Sequence, residues 1–377
     1  MLVGINAQKA LERETGVGNY AFNLVRALAR LPEARESIRL YLLHGREQLH
    51  HQLNGVPIAG PEWRLSGSAP RILWEQFGLP RLARRDRVDL LHYVDHALPL
   101  FGRPCPVVIT VHDLAFYRLP QMYNPGRRAY KGFVGLRSVR HAAHIIVNSD
   151  STKAEVAALS NISAEKITTI HYGLDPIFRP LPKNEAEKAR QKLDLHRPFF
   201  LFVGTLQPRK NLRNIIAAFA RLVRADHLPH ELVLAGAQGW LVGDLTSFAG
   251  EHRVADRVRF LGSVPHDELP ALYNCAESLV YPSWHEGFGL PPLEALACGT
   301  PVVAAAIPSI QEVVSDAGLL VDPADINGLA QAMRRVLADP ALRQRLAEAG
   351  PRRAANFSWD QCARKTWRVY EKVKNEG

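Results

Sequence analysis

A chain of 377 residues, 47% hydrophobic and 22% charged, has the composition of a folded globular protein, which excludes a disordered or fibrous polypeptide. Its length exceeds one ordinary core and predicts two domains. The formal charge of +10 is uneven: residues 1–174 hold 22 Lys/Arg against 14 Asp/Glu, net +8, and residues 175–377 hold 25 against 23, net +2.

The first predicted strand, "LVGINAQ", is followed by "ERETGVGNYAFNL", in which Gly16 and Gly18 form a turn opening an amphipathic helix predicted over 19–31. Such a turn either brings backbone close to a phosphate or is only tight, because a lone GxG is not the full dinucleotide fingerprint. The strands "RLYLLHG", "DLLHY" and "VVITVHD" follow. His112 and Asp113 end the last of these. There His112 can donate to a sugar hydroxyl or to developing negative charge, with Asp113 orienting it; a satisfied buried histidine fits equally.

No acidic residue lies between Asp113 and Asp150, whereas Arg118, Arg127, Arg128, Lys131, Arg137 and Arg140 do, interleaved with Tyr117, Tyr123, Tyr130 and Phe133. A helix is predicted over 126–141. This stretch fits a solvated basic face, a surface for anionic lipid or a phosphorylated acceptor, or, least well, a nucleic-acid site. The strands "HIIVNS" and "ITTIHY" lead to "HYGLDPIFRPLPKNEAE", whose glycine and prolines place the domain boundary at 174/175.

The second half opens with "FFLFVG" and "GTLQPRKNL". Gly204 ends the strand, Pro208 shapes the turn, and Asn211 is predicted to cap the next helix. Arg209 and Lys210 then stand at a helix N-terminus, where a diphosphate is the natural occupant and surface decoration the alternative. After "ELVLAG", "VRFLG" and "SLVYPS" comes "EGFGLPPLEALACGTPVV", predicted as a loop over Glu286–Gly289 and a helix opened by Pro291 or Pro292. Gly287 and Gly289 let backbone N–H groups approach a ligand. Glu286 projects either into a site or into solvent. Glu294, expected in the first helical turn, suits the vicinal hydroxyls of a ribose or simply complements the helix dipole. "PVVAAA" and "GLLVDP" are the last strands, and a helix capped by Ser358 is predicted from Trp359 to Lys374, free to return to the first domain.

Near-continuous apolar strands alternating with helices predict parallel sheets in two Rossmann-like domains, 1–174 and 175–357, facing across a deep cleft, with helix 358–377 left free to pack back on the first domain or elsewhere. The cysteines Cys105, Cys275, Cys298 and Cys362 form no CxxC pair, and the histidines lack ligand spacing, so no metal site is expected and a reducing compartment is. No signal peptide is recognised at the start, and no apolar run approaches the roughly 20 residues of a membrane span.

These residues together resemble the retaining glycosyltransferases of family 4, over nearly the whole length. The most specific element is the E-x7-E pattern of Glu286 and Glu294; "TGVGNY", "VHD" at 111–113 and "GTLQPRKN" at 204–211 support it, in a form most like the bacterial mannosyltransferase branch. The resemblance implies the GT-B fold and a hexosyltransferase that works without a metal or other cofactor. It implies that Glu294 binds the ribose of a nucleotide-sugar donor and Glu286 the donor sugar, with the backbone of Phe288, Gly289 and Leu290 holding sugar and phosphate. Lys210 and Arg209 would neutralise the departing diphosphate, Gly18 would approach it, and His112 would bond the sugar. The turn around Ser263 and Val264 would hold the base. The chain departs from the pattern in having Thr205 where many members have arginine after the strand glycine, which leaves the division of roles between Arg209 and Lys210 open.

On this view the protein moves a hexosyl group, foremost mannosyl from GDP-mannose, to a saccharide or lipid-linked acceptor in surface polysaccharide or lipopolysaccharide synthesis. UDP-, dTDP- and ADP-sugars are the alternative donors. It would work in the cytoplasm or peripherally at the inner face of the cytoplasmic membrane, with Arg127, Arg128 and Lys131 toward an anionic acceptor or lipid and no nucleic-acid partner. Rival readings are a two-carboxylate glycosidase, a GT-B epimerase or phosphorylase, and a non-catalytic basic protein that binds membrane or nucleic acid.

Overall fold

The computed structural model describes residues 1–53, 55–61, 68–95, 98–99, 102–239 and 243–376; within its helices the side chains of Ser68, Arg127, Tyr130, Lys131, Lys183 and Ala189 fall outside that description. The chain divides into two units: residues 1–173 with 357–377, and residues 174–356.

The first unit holds a seven-stranded, all-parallel sheet of β1 (Val3–Asn6), β2 (Ile38–Tyr41), β3 (Ile58–Ala59), β4 (Leu90–Tyr93), β5 (Val107–Val111), β6 (His144–Val147) and β7 (Ile167–Thr169). Its spatial order is β3-β2-β1-β4-β5-β6-β7, so the winding direction reverses between β1 and β4. The second unit repeats the plan with β8 (Phe199–Val203), β9 (Glu231–Ala235), β10 (Val258–Gly262), β11 (Ser278–Tyr281), β12 (Val302–Ala305) and β13 (Leu319–Val321), in the order β10-β9-β8-β11-β12-β13. Here the reversal lies between β8 and β11. Helices on both faces explain why the central strands are almost wholly apolar: β5, β8 and β12 are buried throughout, and Thr110 is the one polar residue among their positions. Two Rossmann-like parallel sheets are thus present, as the sequence predicts. The two-residue β3 is an addition that its length hides from pattern reading.

Three local expectations change. The first helix spans Gly16–Leu28 and contains both glycines, because Thr15, not a glycine turn, caps it: the Thr15 hydroxyl accepts the N–H of Gly18 at 3.0 Å. Asn211 holds the N-cap position of helix Leu212–Asp226 but caps nothing; its backbone is left-handed, and its amide donates to the carbonyls of Pro282 (3.0 Å) and Pro323 (2.7 Å). Glu294 lies beyond the first turn of helix Leu290–Ala297, which Gly289 opens with φ 119°. A residue with Cβ would be strained at that φ, and its Cβ would also meet Ile310 Cδ1 at 2.6 Å.

Helix Trp359–Glu376 packs on helix Gly16–Leu28 in the first unit. It brings Tyr370, whose hydroxyl meets His92 Nδ1 at 2.6 Å, while His92 Nε2 meets Thr110 Oγ1 at 2.8 Å and Tyr20 reaches the same hydroxyl at 3.0 Å. Burial, with the neighbouring His112, pushes His92 down to about 3, so this network is uncharged at neutral pH. Trp359 stacks on Tyr172 at 6.0 Å between centroids.

Candidate functional site

In open parallel sheets the ligand crevice lies beyond the carboxyl ends of the strands, at the reversal of strand order. In the second unit the loops after β8 and β11 flank that point, and they are bound together there. The Glu286 carboxylate accepts from Lys210 Nζ (2.6 Å) and Tyr281 (3.0 Å) through Oε1, and from Arg209 Nη1 (2.6 Å) through Oε2. Arg209 also donates to the His285 carbonyl at 3.1 Å, and Trp284 N–H to the Arg209 carbonyl at 2.8 Å. Lys210 additionally bonds the Tyr281 hydroxyl and lies 4.8 Å from its ring centroid. The Glu286 carbonyl is held by Ser309 Oγ at 2.7 Å.

Glu286 and Lys210 are both buried. Burial alone would raise the carboxyl, but Arg209 and Lys210 outweigh it and hold Glu286 well below the usual carboxylate range. The cluster therefore pairs two fixed cations with one fixed anion and keeps an excess positive charge, an arrangement that can receive phosphate oxygens without reorganising. Gly204 closes β8 beside it and donates its N–H to the Ala235 carbonyl at 2.9 Å.

Glu294 is buried in the same unit and accepts from Tyr273 at 2.8 Å. Its carboxyl is raised: burial dominates over the Tyr273 bond and His266, and Asp175 adds to it. His266 Nε2 lies 3.6 Å from Asp175 Oδ2, and Phe178 meets the rings of His266 and Tyr273 edge-on at 5.3 and 5.9 Å. Gly287 and Phe288 are buried between the two glutamates and Leu290 is half-buried; Ser263 is exposed and Val264 half-buried after β10.

The remaining expected residues belong to the first unit. Gly16 is exposed, with open space where a Cβ would stand; Gly18 is buried, and a Cβ there would sit 1.9 Å from the Glu12 carbonyl oxygen. The close approach at Gly18 is thus to its own chain, and the open position is Gly16. His112 is buried with both ring nitrogens engaged: Nε2 with the Val94 carbonyl at 2.6 Å and Nδ1 with the Tyr172 hydroxyl. A carbonyl only accepts, so Nε2 carries a proton. Asp113 accepts the Ala115 N–H at 3.0 Å through Oδ1. On helix Pro125–His141, Arg128 is exposed, and the side chains of Arg127 and Lys131 lie outside the described residues. Phe133 and Tyr117 nearby in sequence are 66% and 49% exposed, large for apolar rings.

Tyr273 and Tyr281 escape the sequence reading although each bonds one of the two glutamates. The available signal was their place in buried segments, since a buried tyrosine hydroxyl requires a partner. Among the described residues no group of His, Cys, Asp and Glu is arranged to hold a metal, and no helix is long and apolar enough to cross a membrane.

Comparison with known proteins identifies the family. Residues 15–178 match the model of Glycosyltransferase Family 4, and residues 183–353 that of Glycosyl transferases group 1. The chain is 32% identical to the O-antigen chain mannosyltransferase B of Escherichia coli, over 95% of this chain and 96% of that protein. It is 26% identical to the O-antigen chain mannosyltransferase RfbU of Salmonella typhimurium, over 88% and 90%. In fold it is similar to Anabaena HepE in complex with UDP and glucose, with TM-score 0.77, 19% identity and 98% and 99% of the two chains covered. The chain therefore belongs to the family 4 glycosyltransferases, built on the two-sheet GT-B plan.

Proposed function

We propose that this glycosyltransferase moves a hexosyl group, foremost mannosyl from GDP-mannose, from a nucleotide diphosphate sugar to a saccharide or lipid-linked acceptor in surface polysaccharide assembly. The observation that carries the reading is the Glu286–Arg209–Lys210–Tyr281 cluster at the carboxyl ends of β8 and β11. Breaking a sugar–diphosphate bond leaves negative charge on the phosphates and positive charge on the ring. Arg209 and Lys210 meet the first, and the ionised Glu286 suits the second and the sugar hydroxyls. Glu294 serves the ribose; the backbone from Gly287 to Leu290 lies beside sugar and phosphate, and Ser263 and Val264 beside the base. Attack by the acceptor on the face the diphosphate leaves, with its proton passing to a donor phosphate oxygen, retains configuration and needs no metal.

The mannosyl assignment is supported by the two O-antigen mannosyltransferases it is similar to; UDP-sugars are the second reading, supported by the nucleotide in HepE. Gly16 rather than Gly18 offers the open backbone for phosphate approach. His112 positions the first unit's site through Val94 and Tyr172, with Asp113 at its side. Exposed Phe133, Tyr117 and Arg128 on a basic segment support an acceptor presented at an anionic lipid surface, a role shared by Arg127 and Lys131, and peripheral placement at the inner membrane.

The test is a thermal-shift panel of GDP, UDP, dTDP and ADP and their sugar conjugates. Native protein is expected to be stabilised by one base in particular, foremost guanine. Lys210→Ala is expected to fold and to lose about 100- to 1,000-fold in turnover, the scale of one lost transition-state donor. Native-like turnover in that variant removes Lys210 from the mechanism.

A further inference from the structure

One buried carboxylate of the first unit has no part in the donor chemistry. Glu75 lies in a π-helical turn, Trp74–Gly78, between helices Ser68–Leu73 and Leu79–Arg85. Single π turns inside helices are uncommon and cluster at functional sites. This one has a local cause. Leu79 donates its N–H to the Trp74 carbonyl, and the next residue, Pro80, has no N–H to give. The Glu75 carbonyl is left without a helical donor, and the Tyr93 hydroxyl supplies one at 3.0 Å.

Tyr93 ends β4 and Asn6 ends β1, the neighbouring strands at which the sheet reverses. Asn6 donates to Glu75 Oε1 at 3.3 Å, so backbone and side chain of Glu75 are both fixed to the carboxyl ends of the reversal pair. Around the carboxylate stand Arg71 of its own helix, with Nε at 3.9 Å, Lys9 from the turn after β1, and Asp95 from the loop after β4. Lys9 and Arg71 are shared with Glu12, at 2.6 and 3.7 Å. Oε2 of Glu75 has no partner among the described residues, and the residue retains 8% exposure. Burial lifts its carboxyl to about 7, Asp95 adds to this, and Arg71, Asn6 and Lys9 oppose it without prevailing.

We propose that Glu75 is the acceptor-binding carboxylate of this enzyme: its Oε2 accepts a hydrogen bond from a hydroxyl of the acceptor saccharide at the reversal point of the first sheet. The assignment rests on the glycosyltransferase reading above. The bond is one of recognition; the attacking hydroxyl's proton leaves with the donor phosphate. Only the ionised form accepts at both oxygens, so acceptor binding weakens as pH falls through about 7.

The experiment uses full-length protein, the nucleotide sugar that gives the largest thermal shift, and methyl α-D-mannopyranoside, methyl α-D-glucopyranoside and methyl N-acetyl-α-D-glucosaminide as acceptor probes. Glu75→Gln is expected to raise the acceptor KM roughly 10- to 100-fold, the range for a hydrogen bond to a charged group, with nucleotide affinity unchanged and the pH dependence of KM near neutrality flattened. Glu75→Asp should recover part of the loss. Tyr93→Phe, which keeps the carboxylate but unpins its turn, should raise KM by a smaller factor. An unchanged acceptor KM and pH profile in Glu75→Gln, with nucleotide binding intact, overturns the assignment alone. A fall in nucleotide affinity equal to the fall in transfer, unrelieved by Glu75→Asp, assigns Glu75 to the framework and overturns it too. A native protein indifferent to every nucleotide overturns the donor reading, and this assignment with it.

Discussion

Glu286 and Glu75 are both buried at strand ends, yet their carboxyls are displaced in opposite directions, and their companions decide which. Glu286 has two cations within 2.6 Å, whereas Glu75 has an amide and one guanidinium at 3.9 Å. Unpaired, the desolvation cost dominates; doubly paired, attraction does. The raised group links stability to pH. Ionising Glu75 in the folded state costs more than in the unfolded chain, so its contribution is fully present below 4.5 and lost as pH rises through about 7. Urea unfolding of native protein and Glu75→Gln should therefore show the native chain losing up to about 3 kcal/mol relative to the variant between those limits. A pH-independent difference would show that Glu75 ionises freely. Glu286 and the Arg209–Lys210 pair were each singled out in the sequence, because each lies in a short motif at a strand end, although the bonds between them belong to the folded sheet. Glu75 was not, because its setting is made by Asn6 and Tyr93, residues distant in sequence that meet only in the assembled sheet.

Elements were legible wherever burial on both faces wrote a nearly continuous apolar run, as in "VVITV" or "FFLFV". They were less so where a polar side chain had to choose a partner. Asn211 sits where a capping residue belongs but spends its amide on the Pro282 and Pro323 carbonyls, tying together the loops after β8, β11 and β13. Tertiary partners overrode the local preference. The glycines of "TGVGNY" divide in a testable way. Gly18→Ala forces a methyl group against the Glu12 carbonyl and should lower stability by about 2 kcal/mol or more, whereas Gly16→Ala meets open space and should be neutral or slightly stabilising. Thermal midpoints of the two variants check this. Equal midpoints would mean that the Glu12 turn yields at little cost.

At the scale of the molecule, each unit is a complete parallel sheet with one reversal of strand order, but only the second is continuous in sequence. The first needs residues 357–377 to cover Tyr20 and Tyr172 and to give His92 its Tyr370 partner. Ending the chain at Asn356 is therefore expected to lower the melting of the first unit sharply, by the loss of an aromatic face and of a buried hydrogen bond, while the second unit keeps its nucleotide-dependent stabilisation. A single undiminished transition in the shortened protein would contradict it. This interrupted layout also sets an order of maturation at the ribosome. The unit whose first strand emerges earliest cannot be finished until its last helix is translated, so the second unit, continuous in sequence, is complete before the first.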